Sequence, residues 1–275
     1  MTAFAERLQK IAAETSTLCL GLDPSPGLLA AWELPDSAAG AREFCRRALD
    51  AAQGLIGIVK PQAAFYERFG ATGVAVLDEV VAEIRDRGQL SIVDCKRGDV
   101  AHTMVAYCQG LKGNAMTLTA YLGFAALHDG LGELVAKGAG AFVVVRSSNP
   151  EGSALQRARL ESGDTVAEHL ADEITAYNRG LDADPKPGPI GAVIGATLED
   201  EALALVERLP LSYILAPGVG AQGATLGDLQ SRFGGHLGRL VPTASRSLVG
   251  PGPDIAAMRR AMAGAAEEWQ RLQTD

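Results

Sequence analysis

Between Ser91 and Val100 the chain reads SIVDCKRGDV, a β-branched run closed by two acids and two bases within six residues. An unpaired buried charge is costly, so four charges at the end of a buried strand need one another or a ligand. Asp94 and Lys96 stand two positions apart, which on a strand points both side chains to one face. Asp99 follows Gly98 where a helix is expected to begin, a place the helix dipole favours for an acid. Thr103 is four residues further, on the same helix face. A second lysine, Lys60, ends another apolar run and would stand beside Asp94. These residues predict an alternating Lys60–Asp94–Lys96–Asp99 array in which flanking carboxylates hold each lysine protonated. Such a lysine is a poor Schiff-base nucleophile but a good cation and proton donor. The plainer readings are a structural Asp94–Lys96 ion pair, which the inward-facing geometry opposes, and a simple helix cap at Asp99, which stays open.

A second constellation suits an anion. Gly218-Val219-Gly220-Ala221-Gln222-Gly223 matches G-x-G-x-x-G. In dinucleotide folds that motif follows the first strand, with an acid about 20 residues on. Here it follows the seventh apolar run, and Gly238 occupies the acid's place. A phosphate cradle of backbone N–H groups at a helix start fits better. Gly218, Gly220 and Gly223 would form it, and Arg246 beyond the eighth run would supply a bidentate clamp.

The elements that must position these groups recur along the chain. Strand candidates lie at 18–23, 56–62, 90–96, 115–120, 141–148, 190–196, 212–218 and 239–245. Helical patterns separate them, as in Val74, Leu77, Val80, Val81 and Ile84. Eight strand–helix repeats with strands apolar on both faces predict a parallel sheet closed into a (β/α)8 TIM barrel, an open doubly wound sheet being the alternative. The pattern Phe4, Leu8, Ile11 ahead of the first run predicts a helix capping the barrel floor. Residues 24–40 and 180–189 read as longer loops rather than linkers, so 1–275 is expected to be one catalytic domain. Barrel sites lie at the C-terminal strand ends. There the chain places Asp23, Lys60, Asp94, Lys96, Arg146 to Asn149, the PGVGAQG turn and Ser245-Arg246, while strand interiors are almost free of charge.

The net charge of −8 offers no basic surface for nucleic acid or anionic lipid, so an anionic ligand needs a local positive pocket. Cysteines 19, 45, 95 and 108 form no CxxC pair and no zinc-like spacing, and read as reduced thiols of a cytoplasmic protein. The first residues carry Glu6, Arg7 and Lys10 inside a helical pattern and make a poor signal peptide. No run approaches the ~18 apolar residues of a membrane span. Histidines 102, 128, 169 and 236 fall on expected helices or loops. A lysine beside Asp94 competes with any cation, so no metal is expected.

The stretch Asp94-Cys95-Lys96-Arg97-Gly98-Asp99-Val100 resembles the D-x-K-x-x-D-I signature of the orotidine 5′-phosphate decarboxylase family, in its longer bacterial branch. GLDP (21–24), VKPQAAFYERFG (59–70), SSNPEG (147–152), PGVGAQG (217–223) and SRSLVG (245–250) resemble the family's other motifs in order. The resemblance implies decarboxylation of orotidine 5′-monophosphate to UMP, without cofactor. Lys96 would protonate C6 of the pyrimidine, Asp94 would face the substrate carboxylate, and Lys60 would bridge Asp94 and the ribose. Asp23 would bind a ribose hydroxyl, Ser148 the pyrimidine, and Gln222 and Arg246 the phosphate. Asp99 and Thr103 would reach the partner's site in a homodimer. The chain departs from the family pattern at Ser245, where many members have Gly, and at Val100-Ala101-His102, which replace Ile-Pro-Asn. Rival readings are a magnesium-dependent sugar-phosphate lyase on the same barrel, a non-catalytic phosphate-ligand barrel and, more distantly, a nicotinamide oxidoreductase.

Overall fold

A strand covered by helices outside and by a packed interior inside must be apolar on both faces. The computed structural model describes residues 3–181, 186–198, 201–220 and 223–274. In it the eight runs become β1 Cys19–Leu22, β2 Ile58–Pro61, β3 Leu90–Arg97 and β4 Ala115–Leu118, then β5 Gly140–Arg146, β6 Ile190–Ile194, β7 Ile214–Val219 and β8 Leu240–Ala244. They pair in parallel in chain order, and β8 pairs back onto β1, so the sheet closes into a (β/α)8 barrel.

Two hydrophobic clusters hold it. The larger lies between barrel and helices: the helix Ala38–Ala52, for example, turns Ala41, Phe44, Cys45, Ala48, Leu49 and Ala52 inward at three- and four-residue spacing. The smaller fills the lower barrel. There Phe4 and Leu8 of the helix Ala3–Glu14 pack against Ile58, Leu90, Ile92 and Phe142. Phe4 meets the Phe142 ring edge-on at 6.1 Å. A Cβ on Gly140 would lie 2.3 Å from the Phe4 ring, so glycine at the foot of β5 lets this plug seat. The expected floor-capping helix is therefore present, and the opposite, C-terminal mouth stays open for a site.

The stretch 24–40 is more regular than a loop. Pro26–Ala31 is helical, with Ser25 Oγ accepting from Leu28 N–H and proline in the first turn. The next helix starts at Ala38, inside the stretch expected to be loop, because Ser37 caps it through Gly40 N–H. Of the 180–189 connector, residues 182–185 lie outside the described residues. Among the described residues no helix is long and apolar enough to cross a membrane.

Candidate active site

The site begins with an irregularity in β3. Leu90 and Ser91 pair regularly with β2, and Val93 with Met116 of β4, but the next β4 pairing is Arg97 with Leu118. Four steps along β3 thus match two along β4, a bulge. The surplus is taken up at Lys96, whose φ of +42° lies in the left-handed region. For a non-glycine residue that conformation costs about 1–2 kcal/mol. The amides of Cys95 and Lys96 donate to Thr117 Oγ1 at 3.0 and 2.9 Å. Asp94 and Lys96 do share the inner face, though across a bulge rather than along a regular pleat.

The Asp94 carboxylate is the hub. Its Oδ1 accepts from Lys96 Nζ at 2.6 Å and Thr117 Oγ1 at 2.8 Å; its Oδ2 accepts from Lys60 Nζ at 2.9 Å and Gln62 Nε2 at 3.1 Å. Lys60 and Asp94 are buried, whereas half of the Lys96 side chain is exposed to the cavity mouth. Burial alone would push the Lys60 ammonium down, but the carboxylates of Asp94 and Asp23 outweigh it and hold its pKa above the ordinary lysine value. Burial likewise raises Asp94, yet Lys60 and Lys96 outweigh it and hold the carboxyl well below the usual range. The three groups form a fixed cation–anion–cation chain.

Above it opens a cavity of about 550 Å³, reached by Asp23, Lys60, Lys96, Ser148, Gly218 and Arg246 among others. On the β8–β1 side Asp23 Oδ1, Thr243 Oγ1 and Ser245 Oγ are buried without a hydrogen-bond partner. Each such atom costs about 1–3 kcal/mol, so this wall suits a polar ligand. Ser245, where glycine was the family expectation, is accommodated from across the sheet. A Cβ on Gly21 would lie 2.9 Å from the Ser245 Cβ, so glycine in β1 makes the room.

Other expected groups are placed differently. Asp99 and Thr103 do not line the cavity of their own chain. Asp99 Oδ1 accepts from Val100 N–H at 2.8 Å, and Thr103 Oγ1 lies 3.3 Å from His102 Nε2. The four-membered array is thus three-membered within one chain, since Asp99 forms no ion pair with Lys96 among the described residues. Gly218 lines the cavity, but Gly220 and Gly223 do not. Gly220 N–H donates to Ala224 O and Gly223 N–H to Gly220 O, so both amides have partners within the chain. The following helix, Leu226–Phe233, is capped by Thr225 and Asp228 acting reciprocally. Within the described residues this loop offers Gly218 and Val219 to the cavity, and Gln222 lies outside them.

Arg146, counted with the rim charges, turns away from the cavity. Its buried guanidinium pairs with Glu201 at 2.9 Å and reaches Ser147 O and Gln156 Oε1, tying down the segment that carries Ser148. Sequence reasoning passed over Gln62, Thr117 and Thr243. Gln62 was visible two residues after Lys60, on the same face; the two threonines carry no charge to set them apart from ordinary strand residues. Among the described residues no three His, Cys, Asp or Glu side chains gather as a metal site would require.

A closed parallel barrel with buried ammonium and carboxylate groups at its C-terminal mouth, below an arginine and orphaned hydroxyls, is a TIM-barrel enzyme site shaped for a small anionic substrate. The profile of the orotidine 5′-phosphate decarboxylase / HUMPS family matches residues 16–261, and the chain belongs to that family. It is 48% identical over 268 residues to the orotidine 5′-phosphate decarboxylase of Myxococcus xanthus, covering 94% of this chain and 92% of that one. It is 43% identical over 270 residues to that of Salinispora arenicola, covering 95% of each. A crystal structure from Streptomyces avermitilis superposes with a TM-score of 0.94 at 39% identity, over 100% of this chain and 97% of that one. The OMP decarboxylase structure from Leishmania donovani does so at 0.80 and 26% identity, over 100% of both.

Proposed function

We propose that this protein decarboxylates orotidine 5′-monophosphate to UMP, the last step of de novo pyrimidine synthesis, without metal or cofactor. The carrying observation is the Lys60–Asp94–Lys96 chain facing the cavity of a protein that belongs to this family.

Loss of CO2 from C6 leaves an electron pair in the ring plane, where no π system accepts it. Lys96 meets that charge with an ammonium held by Asp94, an interaction that strengthens only as the charge develops. The C6–carboxylate bond breaks, its electron pair stays on C6, and an Nζ proton moves to C6; the resulting amine regains a proton from water. Asp94 faces the substrate carboxylate and disfavours the ground state. Lys60 bridges Asp94 and the ribose, Asp23 binds a ribose hydroxyl, and Ser148 reads the pyrimidine. Arg246 and Gln222 hold the phosphate beside Gly218, with Gly220 and Gly223 shaping their loop; this distant binding orients the reacting carbon.

Asp99 and Thr103 complete the site of a second subunit. Their position outside their own cavity supports this, as do the exposed apolar side chains Val100, Tyr107, Tyr121 and Leu122 on the β3 and β4 connections. The active form is a homodimer, which sedimentation would read. Four free thiols suit a reducing cytoplasm. One barrel built from all eight strands supports reading 1–275 as a single catalytic domain.

The metal-free reading is favoured over a magnesium-dependent lyase because Asp94 already accepts four hydrogen bonds, two from ammonium groups, which fills its lone pairs. An ultraviolet assay of orotidylate loss with EDTA tests it. Equal rates with and without chelator are expected. Activity restored only by magnesium would overturn the metal-free mechanism, and ligand binding without turnover would leave a binding barrel.

A further inference from the structure

Of the groups around Asp94, one is neither charged nor exposed to the cavity, yet it touches every part of the unusual β3 geometry. Thr117 is 1% exposed, on β4, and is absent from the cavity lining. A threonine hydroxyl has one proton to give and two lone pairs. All three are used: Oγ1 accepts from the amides of Cys95 and Lys96 and donates to Asp94 Oδ1 at 2.8 Å.

We propose that Thr117 is the positioning residue that aims Lys96 at the reacting carbon. Between the Val93–Met116 and Arg97–Leu118 pairs β3 carries two residues more than β4. The hydroxyl takes the amides of two residues in that excess, Cys95 and Lys96, and so stabilises the left-handed backbone at Lys96. The same oxygen gives its proton to the carboxylate oxygen that receives Lys96 Nζ. One atom thereby couples where the Lys96 backbone turns to where its side chain is anchored. Lysine has four rotatable side-chain bonds, and an ammonium displaced by about 1 Å loses on the order of 100-fold in rate. β-branching adds to the effect by restricting χ1, which keeps the hydroxyl in place.

The inference rests on the reading of Lys96 as the proton donor, and the experiment separates the two. Wild type, Thr117→Ser and Thr117→Val are compared for orotidylate turnover, for affinity toward UMP and for thermal unfolding. Valine keeps the shape and removes all three hydrogen bonds; serine keeps the hydroxyl. The expected result is a kcat about 100-fold lower in Thr117→Val, with UMP affinity within about 3-fold and kcat of Thr117→Ser within about 5-fold of wild type. A merely structural threonine would lower Tm and leave kcat unchanged below the melt, which would overturn the proposal. Serine falling as far as valine would overturn it too. Should Thr117→Val fail to fold, Thr117→Ala, which leaves space for a water, is read by the same criteria. A wild type without turnover would instead sink the function on which the inference depends.

Discussion

The ammonium of Lys60 and the carboxylate of Asp94, 34 positions apart on neighbouring strands, meet at 2.9 Å with both side chains nine-tenths or more out of water. Neither charge is tolerable there alone, and the pair stands only because Lys96, Gln62 and Thr117 fill the remaining positions on the carboxylate.

Removing one member should therefore cost more than removing two. Asp94→Asn leaves Lys60 buried beside a neutral amide and is expected to destabilise the fold by about 3–5 kcal/mol. Lys60→Met combined with Asp94→Asn should recover most of that loss while remaining inactive. Urea unfolding of the three proteins measures it; a double variant as unstable as the single one would show that packing, not charge, dominates.

Stability should depend on pH at both extremes. The folded Asp94 pKa lies below its ordinary value of 3.8, so its contribution is complete above that value and lost as pH falls toward the folded pKa. The folded Lys60 pKa lies above its ordinary 10.5, so its contribution is complete below that value and lost as pH rises toward the folded pKa. The stability difference between wild type and the double variant should thus be flat through neutrality and shrink outside those limits. Chemical denaturation in a series of buffers reads this, and a difference that varies between pH 5 and 9 would contradict it.

Lys96 differs from Lys60 in exposure, with half its side chain in the cavity mouth. Lys96→Ala is therefore expected to fold, because Asp94 keeps Lys60, and to melt within a few degrees of wild type. Its turnover should vanish in single-turnover assays. Near-normal turnover would remove Lys96 from the chemistry altogether.

Arg246 lines the cavity just after β8. A charge-assisted contact to phosphate is worth about 1.5–3 kcal/mol, so Arg246→Ala should raise KM roughly 10- to 100-fold. Added guanidinium should rescue the variant, and the truncated substrate lacking phosphate should be indifferent to the substitution. An unchanged KM would place the phosphate elsewhere.

Much of this site is local information. The two-residue spacing of Asp94 and Lys96 puts both on one face of any strand, and the ionisable groups cluster at run ends because strand interiors between packed layers exclude them. Thr117 is different. Nothing near it in the chain distinguishes it from an ordinary buried strand threonine, and it matters because β3 bulges by two residues against β4 beside it. Arg146 shows the converse, a rim charge by position that an acid 55 residues away draws out of the cavity.

The sequence by itself determined the order of strands and the helix that plugs the floor, and favoured a closed parallel barrel over an open sheet, since apolar periodicity specifies which faces must be buried. The tertiary structure alone decided which hydrogen bonds the polar atoms make. The bulge at Lys96, the four bonds on Asp94, the hydrogen bond from Gly220 N–H to Ala224 O and the absence of Asp99 from its own cavity all follow from register and packing between segments. Periodicity records how often a side chain faces inward; it carries no record of which neighbour stands opposite.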